Sequence, residues 1–298
     1  MTQIRWTPNA SVSALHAADF AVRFPDQFVD QSVLAAFQNE AAELNRQIES
    51  VAGANASSVW STLIATAVEI ESNHELASAV LRKSVGDTSP NAVSFLSGKI
   101  TEIEAAFKQL FPKFSEQILF RIRPLQEQWL GFGNGLMAHL GRLTEKEILA
   151  EDVRVIPVQP VVGGAGVAHL NANLVRIEAV LTNPMAELPE VVRLAWLVSQ
   201  VHLDLPRFSE TMGAAVLSKV APLAMLPPVL AASQVLEQSR CTSEMSAMAI
   251  QHWHIPVPVG ADVHDHVAPV LMDWWETYLQ TRPAWHIAMQ ALAKMLGV

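Results

Sequence analysis

Residues 153–206, VRVIPVQPVVGGAGVAHLNANLVRIEAVLTNPMAELPEVVRLAWLVSQVHLDLP, read as strand, glycine loop, strand and then one long helix. Val153, Val155, Pro157, Val161 and Val162 suit an extended segment, and Leu174–Leu181 alternates as LVRIEAVL. Between them GGAGVAHLNAN (163–173) is a loop of a length that is usually functional or mobile. The helix follows Pro184 and spans about 189–205, with Glu190, Arg193, Gln200 and Asp204 on one narrow stripe. Ser199 and His202 fall on the opposite side, and the rest is apolar, so burial nearly all round is expected. Arg193 and Asp204 should then be exposed or paired, while Trp196 and His202 are buried. A buried imidazole needs a partner, and a carbonyl or Ser199 would satisfy His202. The expected architecture is α+β and predominantly helical. A small sheet at about 153–182 packs on the helix at about 189–205, and further helices run to Val298.

Upstream of this stretch the period is helical. Val33, Phe37, Leu44, Ile48 and Val51 repeat at 3.6 residues up to Gly53. Val93, Leu96, Ile100, Ile103, Phe107 and Leu110 repeat at 3-4-3-4-3, behind Ser89 as cap and Pro90 in the first turn. Antiparallel helices packed at a shallow angle follow from such seams. Another helix starts near Ser115 with Ile118, Leu119, Ile122, Leu125 and Trp129, kinked at Pro124 and weakened by GFGNG (131–135). Residues 1–30, punctuated by Pro8 and Pro25, are expected as an irregular arm. Residues 31–150 form a helical subdomain and 151–298 an α+β subdomain. No composition break or flexible linker separates these last two, which is compatible with one continuous domain.

Composition narrows the partners. Hydrophobic residues are 50% and charged residues 16% of the 298-residue chain, against about 25% charged in ordinary soluble domains. So little charge implies a large interior, apolar faces covered by another subunit, or both; a homo-oligomer, most simply a dimer through the C-terminal helices, is expected. The net charge is −9 and no basic stripe is present, which argues against nucleic acid as a partner. Cys241 is the single cysteine, so no internal disulfide or thiolate zinc cluster can form. The first twenty residues lack the apolar core of a signal peptide. The most membrane-like window, 213–236, holds Lys219, Pro222, Pro227 and Pro228, which favours buried helices over a span. A cytoplasmic location follows by default.

Candidate chemistry is sparse. GGAG (163–166) follows an apolar strand as phosphate loops do, yet it leads to another extended segment, and neither GxGxxG nor GxxxxGK[ST] occurs. Without GxSxG there is no candidate nucleophile elbow. The order of edge strand, loop and buried helix resembles the core of zincin-type metallopeptidases, in which HExxH on the helix supplies two zinc ligands and a glutamate base. Here the helix reads RLAWLVSQVHLD, with Val198 and Pro206 four residues either side of His202. The resemblance covers about fifty residues and implies a degenerate scaffold unable to hold zinc through that helix. No catalytic residue carries over from the family.

One polar constellation remains in QHWHIPVPVGADVHDH (251–266). On extended backbone His252/His254 and His264/His266 each place two imidazoles on one face. His254, His264 and His266 with Asp262 or Asp265 would make a His/carboxylate set for a divalent metal. The competing reading makes Asp265 the N-cap of the next helix and lets His252 and His254 end the preceding one. His264-Asp265 also spells the central dyad of HD-type phosphohydrolases, but the distant aspartate those enzymes need has no counterpart. The functional expectation is therefore a non-catalytic binding or assembly module with no cofactor, a zincin-like scaffold without its metal. The alternative is a metal-dependent hydrolase or oxygenase built on the His254/His264/His266 cluster.

Overall fold

The long loop expected at 163–173 is half strand. In the computed structural model, which describes residues 2–53, 56–86, 89–170, 172–183 and 185–298, Gly166–His169 pairs back on Leu174–Glu178. Asn171 and Pro184 lie outside the described residues. The chain divides into two compact units whose segments interleave. One is Thr7–Arg121 with Ile156–Gly163; the other is the segment ending at Trp6 with Ile122–Val155 and Gly164–Val298.

The elements run in order as β1 (Gln3–Trp6), α1 (Ala10–Arg23), α2 (Gln31–Ala52), α3 (Ala56–Thr66), α4 (Asn73–Val85) and α5 (Pro90–Leu110). Next come α6 (Phe114–Gln128), α7 (Asn134–Leu143), β2 (Asp152–Val158), β3 (Gly166–His169), β4 (Leu174–Glu178) and α8 (Glu190–Val198). The chain closes with α9 (Pro206–Met212), α10 (Ala214–Ala224), α11 (Leu226–Val235), α12 (Ser243–His252), α13 (Ala268–Thr281) and α14 (Trp285–Leu296). The fold is α+β and predominantly helical, as its periodicities indicate.

In the helical unit α1 packs on α2, α3 and α5, and α5 also packs on α2 and α4. The 3-4-3-4 seam of α5 is buried at Val93, Leu96, Ile100, Ile103 and Phe107, with Ser89 accepting from the Ala92 amide as its cap. On α2 the inward register is Leu34, Phe37, Ala41, Leu44 and Ile48, so Leu34 takes the place assigned to Val33. Residues 1–30 are not an irregular arm. Asn9 caps α1 by accepting from the Val12 amide, and Val12–Ala21 is buried without a break. A helix buried on every side shows no polar stripe, so its period is invisible in the sequence. Its polar groups are bonded: Ser13 Oγ accepts from the Gln159 amide at 2.8 Å, and Arg23 clamps both oxygens of Asp19 at 2.8 and 2.6 Å.

Helix α6 accommodates Pro124, and GFGNG does not end it. The chain widens into a five-residue π turn at Trp129–Gly133 and continues as α7. A Cβ on Gly133 would lie 2.5 Å from the Trp129 ring, so the glycine lets the indole fold back over its own helix. Leu119, expected on the inward face, is half exposed, while Ile118, Ile122 and Leu125 are buried.

In the other unit the sheet has the order β1-β2-β4-β3. β1, absent from the sequence reading, runs parallel to β2 with Gln3 opposite Asp152 and Trp6 opposite Val155. The Arg154 amide donates to the Asn173 carbonyl (2.9 Å) on the β4 side. β3 and β4 are antiparallel, Gly166 facing Ile177 and His169 facing Leu174. All five residues of β4 are buried, and α8 packs on β3 and β4. The window resembling a membrane span is α10 and α11; it is long and apolar enough by composition to cross a membrane, and 61% of its most apolar part is buried inside the protein.

Candidate functional site

Where the sequence places its strand, loop and helix, the structure builds a buried charged cluster. β4 ends at Glu178, which is fully buried; α8 contributes Glu190 and the fully buried Arg193. Glu178 Oε2 accepts from the amides of Gly164 and Ala165 at 2.7 and 3.1 Å. Arg193 donates through Nη1 to the Ala165 carbonyl and through Nη2 to the Glu178 carbonyl, both at 2.7 Å, and Nη2 also pairs with Glu190 one turn earlier. A carboxylate therefore holds the amides of the glycine loop while a guanidinium holds a loop carbonyl and the strand end. Charge-assisted bonds of this kind are about twice as strong as neutral ones.

The glycines make that approach possible. Gly163 and Gly164 have φ of 85° and 153°, and a Cβ on Gly164 would sit 2.6 Å from the His252 carbonyl oxygen at the end of α12. GGAG is thus a point where two stretches of backbone meet, and its amides face a side chain of its own protein. The roles of Glu178 and Glu190 escaped the sequence reading. Glu178 had one local signal: it is the charged residue at the end of an apolar alternating run, just where a buried strand would otherwise stop.

Arg193 was expected to be exposed or paired; it is paired and wholly buried. The stripe of Glu190, Arg193 and Gln200 faces protein. The helix is also shorter than expected. Ser199 Oγ and Gln200 Nε2 both donate to the Trp196 carbonyl at 2.8 Å, and the Gln200 amide turns to Leu197 instead. With two side chains on the Trp196 carbonyl, the helical bond from the Gln200 amide to it is not made, and the α-helix stops at Val198. With α8 stopped at Val198, His202 sits in the following turns and is partly exposed, which corrects its expected burial, and Ser199 bonds to Trp196 instead of to it. Burial raises the Asp204 carboxyl above its ordinary range, against the opposing effects of its own backbone amide and of His202. Trp196 is buried as expected, its Nε1 donating to the Pro222 carbonyl (2.8 Å).

The histidine segment folds as two helix ends. α12 closes through Trp253, and His254 takes a left-handed φ of 55° while the Ile255 amide returns to the Ile250 carbonyl. The next helical run starts with a wide turn, Val263–Val267, whose cap is Asp262: its Oδ1 accepts from the Asp265 amide at 2.6 Å. Asp265 is not the cap. Inserting a five-residue π turn before α13 moves the start three residues upstream. His264 Nε2 lies 3.0 Å from Gln251 Nε2, and His252, His264 and His266 are exposed. Among the described residues no three His, Cys, Asp or Glu side chains come together as a metal-binding group. His254, His264, His266 and Asp262 are thus near one another in sequence and distributed over two separate turns in space.

Cys241 Sγ donates to the Pro227 carbonyl (3.5 Å), and burial pushes its thiol up to about 11. A thiol is nucleophilic only as thiolate, so the native protein at pH 8 should react with iodoacetamide about a hundredfold more slowly than an ordinary cysteine. Intact-mass analysis of native and urea-unfolded protein reads this directly; equal labelling rates would refute it. In the helical unit, a shallow depression is lined by Val29, Asp30, Val33, Phe111, Gln159, Pro160 and Val161. Its acid is already engaged, since Asp30 caps α2 by accepting from the amide and hydroxyl of Ser32.

No protein-family model, curated protein or solved structure matches this chain.

Proposed function

We propose that this chain is a non-catalytic binding and assembly module, cytoplasmic and homo-oligomeric, a zincin-like scaffold without its metal. One observation supports the reading above the others. At the strand, loop and helix where the zincin-type core keeps its chemistry, Glu178, Glu190 and Arg193 are bonded to the chain's own backbone and to each other. A catalytic acid, base or electrophile must reach a reacting atom within about 3 Å, and groups closed in this way hold a loop instead. The charge-poor C-terminal helices support the assembly part.

Elemental analysis of protein purified without chelator is expected to find no stoichiometric divalent metal, with an unfolding midpoint indifferent to added chelator. About one zinc, iron or manganese per chain, lost on substituting His254 or His264, would overturn the reading in favour of a metal-dependent hydrolase or oxygenase.

A further inference from the structure

We draw no further inference here: the strongest candidate, the apolar depression of the helical unit lined by Val29, Val33, Phe111 and Pro160, carries nothing because its acid, Asp30, is already engaged in capping α2 and nothing in the structure shows what covers it.

Discussion

Arg193→Ala is expected to lower unfolding free energy by about 3–5 kcal/mol, the range for removing one partner of a buried charged group. The loss has three parts. The carbonyls of Ala165 and Glu178 each lose one of two donors, keeping the amides of Glu178 and Val180, and the Glu190 carboxylate keeps its charge in a largely closed site without its cation. Because each carbonyl keeps one partner, the stranded Glu190 carboxylate carries the larger share of the loss. Arg193→Lys should recover only part of the loss, because an ammonium cannot span carbonyls on two segments as the planar fork does. Urea unfolding followed by tryptophan fluorescence gives the midpoint shift. A loss below about 1 kcal/mol would show that the loop does not depend on the clamp.

Gly164→Ala should cost about 3 kcal/mol, combining an unfavourable backbone conformation with overpacking. The new Cβ would fall 2.6 Å from the His252 carbonyl oxygen, and backbone cannot swing aside as a side chain can. Gly260→Ala is the control. Gly260 also has a positive φ, 78°, but nothing within 4 Å of its Cβ, so only the conformational term of about 1–2 kcal/mol remains. The difference between the two variants measures how tightly the loop is held against α12. Equal losses would mean that the loop can move away from His252. They would also show that Glu178 does not fix Gly164 and Ala165 in place.

How much of this was legible in the sequence depended on whether burial is one-sided. α5 was readable end to end because one face is apolar, Ser89 and Pro90 punctuate its start, and its partners see only that face. β2 and β4 were readable because their alternating apolar residues fit a pleat. α1 was not, since Val12–Ala21 is buried all round and its Ser13, His16 and Asp19 look in composition like a solvated loop. The histidine segment misled for a related reason. Proximity along the chain suggested a metal site, but a left-handed turn at His254 and a separate capped turn begun by Asp262 distribute the imidazoles over two helix ends.

Local pattern thus determined the helical character, the caps at Ser89 and Pro90, the two central strands and the apolar helix that follows them. Tertiary structure decided what no window of neighbouring residues contains. β1 exists because Gln3 finds Asp152 across nearly half the chain. Arg193, expected to be exposed or paired, becomes the centre of a buried clamp because Ala165, Glu178 and Glu190 converge on it. The physical reason is common to both cases. A backbone edge or a buried charge is stabilised by the partners it finds, and here they come from other segments of the chain: β2 for β1, and the glycine loop and strand end for Arg193, beside Glu190 on its own helix.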